Sequence, residues 1–126
     1  MDPEQVVARV WSSIDDRDWT SLAELLAADV VLEYPGSGER FVGAADVVAV
    51  NAEYPEGWSI RVLRIVGEGE QVVSEVEVPM DGVGTFRVAS FWRVRGGRVI
   101  DAREYWVLLG EQPAPAWREP YRTPRS

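Results

Sequence analysis

Residues 86–106 read FRVASFWRVRGGRVIDAREYW: two long runs rich in β-branched and aromatic residues, joined at Gly96-Gly97. Such side chains suit a pleated, half-buried surface. A Gly-Gly pair lets both central residues of a two-residue hairpin take positive φ. No other stretch constrains the chain as much, because this hairpin closes a series of strands that follows a series of helices.

The helical half comes first. Asp2-Pro3-Glu4-Gln5 predicts a helix start, with Asp2 as cap, Pro3 at the first helical position and Gln5 completing a capping box. Val6, Val7, Val10, Trp11 and Ile14 then share one face at helical spacing. Asp18 opens a second short helix with Leu22, Leu25 and Leu26 as its buried stripe. Val30–Tyr34 reads as a strand stopped by Pro35-Gly36-Ser37-Gly38, and Phe41-Val42 pairs nearby. Gly43–Glu53 reads as a third helix, with Val47, Val48 and Val50 as apolar contacts.

The rest is sheet: Trp58–Val66, Gln71–Val78, Thr85–Val94 and Arg98–Leu108, separated by glycine-bearing turns. Turns at such regular spacing imply a curved antiparallel meander. Beyond Gly110, Pro113, Pro115, Pro120 and Pro124 oppose regular structure. We therefore divide the chain into a domain over 1–110 and a proline-rich tail over 111–126. Trp117 and Tyr121 leave the tail two options: folding onto the body or a partner, or fraying.

Three missing residue types narrow the chemistry. The 126 residues include no Cys, no His and no Lys. Disulfides, thiolate nucleophiles, Cys/His zinc sites, a Ser-His-Asp triad and a Lys Schiff base are all excluded. The formal charge of −8 opposes binding to nucleic acid or to anionic membranes. No apolar run reaches the length of a membrane span. MDPEQVV lacks the basic start and apolar run of a secretion signal, so a cytoplasmic location is expected.

The order of elements resembles the nuclear transport factor 2-like superfamily, and within it the SnoaL-like, polyketide cyclase-like group. Arg17-Asp18-Trp19 with Leu22, Leu25, Leu26 and Asp29-Val30-Val31 looks like that group's short helix and first strand. Tyr34-Pro35-Gly36 before Gly43 looks like its turn into helix three. Phe91-Trp92-Arg93-Val94, Gly97, Val99-Ile100 and Arg103-Glu104-Tyr105-Trp106 look like its closing hairpin. The resemblance covers about residues 3–109. It implies an α+β cone in which a curved antiparallel sheet is covered by three N-terminal helices, with an apolar pocket at the wide end. It also implies a homodimer through the sheet face, a reading helped by apolar residues on both sides of the strands. Relatives range from isomerases, dehydratases, cyclases and epoxide hydrolases to members without known activity, so fold alone does not decide function.

Glu104 is the first candidate for chemistry. It lies on the last strand with Ala102 and Trp106, and is expected to face Ala89 and Phe91 across the hairpin. If that side points inward, desolvation raises its pKa and makes it an acid or base near neutrality. The alternative is a solvent-facing Glu paired with Arg87 or Arg93. Which face points inward stays open, since both carry apolar residues; Asp101, Arg103 and Tyr105, with Ser90 and Trp92, are the other set. Glu75 and Glu77 alternate with Val72, Ser74, Val76 and Val78 and so share a face, which reads either as an exposed face or as part of the site. In limonene epoxide hydrolase-like proteins an acidic residue at the Glu104 position belongs to the catalytic set. There, Glu75 and Glu77 stand where an Arg and an Asp would stand, which leaves that set incomplete. Carboxylates so grouped without Arg raise one another's pKa or bind a cation.

The expected catalytic residues are thus Glu104, Glu77 and Tyr34, with Tyr34 or Tyr105 as hydrogen-bond donor. The expected ligand contacts are Trp11, Trp58, Glu75, Phe91 and Trp106, against the alternative that the aromatics are plain core. No metal and no cofactor are expected. Asn51 and Ser37 read as surface or capping groups. The partner is expected to be an apolar small molecule. It would be isomerised, cyclised or dehydrated by acid–base chemistry, or else bound without turnover. A third option is an interaction module built on the tail.

Overall fold

The computed structural model describes residues 1–123. Pro124 lies outside the described residues. Among the described residues, three α-helices form: α1 (Pro3–Asp15), α2 (Trp19–Glu24) and α3 (Ala44–Ala52). The same residues form six strands: β1 (Leu26–Tyr34), β2 (Glu39–Val42), β3 (Arg61–Glu68), β4 (Gln71–Met80), β5 (Gly84–Arg95) and β6 (Arg98–Leu108). A short 3-10 helix follows at Ala116–Tyr121.

The start of α1 follows from its first residues. Asp2 Oδ1 accepts from Gln5 N at 2.8 Å, and Gln5 Oε1 accepts from Asp2 N at 2.9 Å. Val6, Val7, Val10, Trp11 and Ile14 are buried along one stripe. Asp18 caps α2 through Ser21 N, and Leu22, Leu25 and Leu26 are buried.

The expected four-strand meander is present as β3–β6, but the sheet is larger. Its order is β2-β1-β6-β5-β4-β3. β1 runs from Leu26, four residues earlier than expected, and pairs with β6 in parallel. All other neighbours are antiparallel. The segment expected as a strand from Trp58 begins instead at Arg61. The backbone before it is tied to the α1–α2 turn: Ile60 N donates to Asp15 Oδ1 at 2.9 Å, and the Trp58 carbonyl accepts from Arg17 at 2.7 Å. Arg17 sits in the left-handed region at φ 57° and lays its guanidinium 3.4 Å from the centre of the Trp58 ring.

Gly96 and Gly97 turn the β5–β6 hairpin with φ values of 60° and 78°. Arg95 pairs with Arg98 and Val94 with Val99. Then Ile100 has no partner on β5, and Arg93 pairs with Asp101. This one-residue bulge in β6 shifts the register and exchanges the two faces of everything beyond it. Without it, Glu104 would stand opposite Ala89, as expected from the sequence. With it, Glu104 stands opposite Ser90, while Ala89 faces Tyr105 and Phe91 faces Arg103. Ser90 and Trp92 therefore belong to the inner face, and the earlier grouping of both with Asp101, Arg103 and Tyr105 is corrected.

The helices lie on the inner face. α1 packs across β3, β4, β5 and β6, while α3 covers β1 and β2. Inside, Val72, Val76, Val78, Val88, Val94, Val99 and Ala102 meet Val6, Val7, Val10 and Trp11. Trp11 and Trp92 cross edge to face at 5.6 Å. Both donate their indole N–H to the buried Ser74 Oγ, at 3.1 and 2.7 Å. The tail turns once but does not fold over the body: Trp117 is 72% and Tyr121 81% exposed.

One hydroxyl thus satisfies two core indoles. Replacing Ser74 with Ala leaves two buried donors without an acceptor, each costing about 1–3 kcal/mol. We expect Ser74→Ala to lower the unfolding free energy by about 2 kcal/mol or more, measured by urea denaturation. An unchanged midpoint would show that the two N–H groups find other acceptors.

Candidate active site

β6 carries Ala102, Glu104 and Trp106 on the inner face, and β1 brings Tyr34 beside them through its parallel pairing. Helix α3 and the chain after it add Val50, Asn51 and Tyr54. These residues surround three spaces. An open recess of about 400 Å³ is lined by Tyr34, Gly36, Ser37, Val50, Tyr54, Glu104 and Trp106. A small chamber of about 30 Å³ lies behind Tyr34, Val50, Tyr54 and Trp106, and is closed by Trp11, Asn51, Trp58 and neighbouring aliphatics. A third cavity, of about 20 Å³ and bordered by Asn51, Trp92, Ala102 and Glu104, lies deeper among the core aliphatics.

The interior is therefore mostly filled with side chains, and the ligand-sized space is the recess at its mouth. Aromatic edges build the walls. Tyr34 meets Trp106 at 6.4 Å and Phe41 at 5.1 Å, both edge to face. Tyr54 stacks on Trp106 at 6.0 Å with an interplanar angle of 24°.

Glu104 is the carboxylate of this recess. It is 5% exposed, and Ser90 Oγ donates to its Oε2 at 2.7 Å. Burial among apolar groups raises its pKa from 4.5 to about 7, against the smaller lowering effect of the Ser90 hydrogen bond. The Tyr34 phenol is pushed far above its ordinary value, first by burial and then by the Glu104 charge. It stays protonated and is available as a donor. The Tyr54 phenol is also raised by burial, and its hydroxyl donates to Met80 Sδ at 3.5 Å.

The expected site residues divide between the two faces. Glu104, Tyr34, Trp11, Trp58 and Trp106 surround the recess and chamber. Glu75, Glu77 and Phe91 do not join them, and this part of the reading is corrected. Period-two alternation turns Val72, Ser74, Val76 and Val78 inward and so turns both glutamates outward. Glu77 pairs with Arg61 at 2.6 Å and Arg87 at 3.5 Å, and Glu75 with Arg64 at 3.2 Å. The Arg61 hydrogen bond holds the Glu77 carboxyl below its ordinary range, the reverse of mutual carboxylate repulsion. Positive partners are present after all, supplied by neighbouring strands. Phe91 is 40% exposed and borders a polar depression on the outer face. Tyr105 is exposed on the same face and is no donor to the recess. Arg93 and Asp101 pair there at 2.6 Å. Among the described residues, no three acidic side chains converge as metal ligands do.

Sequence reasoning missed Ser90, Tyr54 and Asn51. Ser90 is signalled only by a polar residue at an inner position of an otherwise apolar strand, and the bulge hid that position. Asn51 read as a surface group, yet it borders the chamber with its Nδ2 donating to the Val47 carbonyl at 2.8 Å. Ser37 lines the outer rim of the recess.

A buried carboxyl with a raised pKa makes folding depend on pH. Between about pH 4.5 and 7 the folded state holds a proton that the unfolded state releases. Glu104 therefore favours folding at the acid end of that window, and the contribution is lost as pH rises through about 7. The full difference is about 3 kcal/mol. We expect Glu104→Gln to gain about that much relative to the parent between about pH 5 and 8, by urea denaturation at each pH. Outer-face carboxylates whose pKa is lowered, such as Glu77, lose their contributions at more acid pH and cancel in the comparison. A pH-independent difference would mean that Glu104 is hydrated in the folded chain.

Comparisons with known proteins agree with this architecture. The family model for the SnoaL-like domain matches residues 7–102. No curated protein matches the chain. Among solved structures, a candidate ketosteroid isomerase from Kribbella flavida is similar at 29% identity and a TM-score of 0.85, covering 98% of this chain and 90% of that one. An epoxide hydrolase of Mycobacterium tuberculosis, described as limonene epoxide hydrolase-like, shares 20% identity at a TM-score of 0.72, covering 83% of this chain and 82% of its own. IdmH, a candidate polyketide cyclase from Streptomyces antibioticus, shares 21% identity at a TM-score of 0.72, covering 84% and 92%. The last two likenesses concern the fold alone.

Proposed function

The chain belongs to the SnoaL-like domain family, and from that membership we propose that it is a cofactor-independent acid–base enzyme acting on an apolar small molecule in the recess. One observation carries the reading: Glu104 lies on the floor of an aromatic recess with a pKa near 7. A group poised near the working pH is the most effective proton carrier.

The chemistry follows from the groups present. The Glu104 carboxylate takes a proton from a carbon beside a carbonyl. The C–H electron pair becomes a C–C double bond, and the carbonyl oxygen gains the negative charge. Tyr34, held protonated, donates a hydrogen bond to that oxygen. In an unsaturated carbonyl compound, returning the proton from Glu104 to a different carbon of the dienolate completes an isomerisation; alternatively the carbanion attacks an internal carbonyl, whose oxygen takes the proton back from Glu104, and a cyclisation is complete. Ser90 holds Oε2 and so orients the carboxylate. The steps need no metal and no redox partner.

Epoxide hydrolysis has less support. Glu75 and Glu77, at the matching strand positions, belong to the outer ion-pair network. Binding without turnover is the second reading, favoured because Glu104 is the one carboxylate among the described residues that line the recess. We read the outer face as the surface joining two copies, since Val73, Phe91, Tyr105 and Val107 leave apolar area exposed there. The reading keeps the cytoplasmic setting; none of the described helices is long and apolar enough to cross a membrane.

Exchange of the α-hydrogens of 2-tetralone for deuterium in D2O, followed by proton NMR, tests the reaction class without the natural substrate. We expect catalysed exchange whose rate rises with pH through about 7 and falls about 100-fold or more in Glu104→Gln. Exchange that is indifferent to Glu104→Gln would remove the enzymatic reading. For assembly, sedimentation velocity should give a dimer for the parent chain and a monomer for Tyr105→Glu. A monomeric parent at tens of micromolar would reject the outer-face interface.

A further inference from the structure

Trp11 and Trp92 give their indole N–H groups to Ser74. Trp58 and Trp106 do not: their Nε1 atoms are out of solvent and have no hydrogen-bond partner among the described residues. The fold thus satisfies two interior indoles and leaves two others open. The open pair borders one space, the chamber of about 30 Å³. The third unpartnered buried atom, Arg87 Nε, belongs to the outer ion-pair network and has no connection with it.

We propose that the Trp58 and Trp106 indole N–H groups form a two-donor seat for an acceptor oxygen, and that the ligand is a neutral, flat carbonyl compound held oxygen-first. This rests on the reading above that the recess is the ligand site, and it adds the ligand's class and orientation.

Size supports the orientation. A volume of about 30 Å³ holds a water-sized group and excludes a ring. The adjoining recess of about 400 Å³ falls in the range of small-molecule sites. Both spaces share Tyr34, Val50, Tyr54 and Trp106. An apolar body therefore fills the recess while its polar tip enters the chamber. Tyr54 stacked on Trp106 offers a flat wall for that body.

Polarity supports the class. The open indoles are donors only, and Asn51 already uses its Nδ2 on the Val47 carbonyl. An oxygen that accepts twice satisfies both indoles, and a carbonyl has two lone pairs for the purpose. Glu104 on the recess floor disfavours an anionic ligand. Its position also leaves a carboxylate near the carbons beside the seated carbonyl.

Indole N–H resonances read the seat directly. Each of the six tryptophans gives its own cross-peak in a proton–nitrogen correlation spectrum; Trp58→Phe and Trp106→Phe assign the two that matter. The probes are 2-tetralone and tetralin, which share a skeleton and differ in the carbonyl. We expect the Trp58 and Trp106 cross-peaks to move downfield with 2-tetralone and not with tetralin. We also expect the affinity ratio of ketone to hydrocarbon to fall about tenfold when either N–H is removed, the size of one net hydrogen bond.

Equal responses to the two probes would overturn the proposal, as would failure of the ketone to bind better than the hydrocarbon. If either Phe variant fails to fold, assignment by backbone-linked spectra of the parent chain leaves the two-probe comparison intact. Selective indole shifts without Glu104-dependent exchange would end the catalytic reading and leave the seat standing. Glu104-dependent exchange without those shifts would do the reverse.

Discussion

The unpaired Ile100 in β6 decides what this molecule can do. A β-strand shows alternate residues to opposite faces, so one extra residue exchanges the faces for the remainder of the strand. Before the bulge, Val99 points inward opposite Val94. After it, Ala102, Glu104 and Trp106 point inward, while Asp101, Arg103 and Tyr105 point outward. Were β6 regular, with Ile100 paired in the ladder, the recess would receive Arg103 in place of Glu104. The acidic character of the site, and hence its whole proton chemistry, depends on a local irregularity in one hairpin.

The sheet separates its charges by face. On the outside, Glu75 and Glu77 lie among Arg61, Arg64 and Arg87, and Asp101 lies beside Arg93. These pairs are wet and individually weak. The Arg61 hydrogen bond holds the Glu77 carboxyl below its ordinary range. On the inside, Glu104 has a single serine hydroxyl and no cation among the described residues. The same residue type therefore behaves in opposite ways on the two faces of one sheet. Desolvation dominates on one face and ion pairing on the other.

The interior carries aromatic rings in two roles. Trp11 and Trp92 are core: crossed edge to face, buried and hydrogen-bonded to Ser74. Trp58 and Trp106 line space, and Arg17 holds the Trp58 region in place by stacking on its ring and binding its carbonyl. That clamp also explains why the third strand starts late. The backbone of residues 58–60 is bonded to the α1–α2 turn and touches β4 only through an isolated Trp58–Met80 bridge and the Ser59 N–H donating to the Pro79 carbonyl.

Much of this was legible in the residues. The capping box at Asp2 and Gln5, the valine stripe of α1 and the Gly96-Gly97 hairpin are local signals, each acting within a few positions. The element order rests on such signals, and the likeness to the SnoaL-like group on segments such as Arg17-Asp18-Trp19 and Arg103-Glu104-Tyr105-Trp106. The missing Cys, His and Lys limited the chemistry to carboxylates, Arg, Tyr, Ser and Thr hydroxyls, amides, water or a borrowed cofactor. What the residues alone left open was the facing of Glu104, the partnership of Ser90 and the outward turn of Glu75, Glu77 and Phe91. The parallel pairing of β1 with β6 was equally hidden. Those depend on register across strands, and register responds to a bulge and to long-range packing that no short window contains. Local propensity determined which elements form; only the assembled sheet decided which side chains share a cavity.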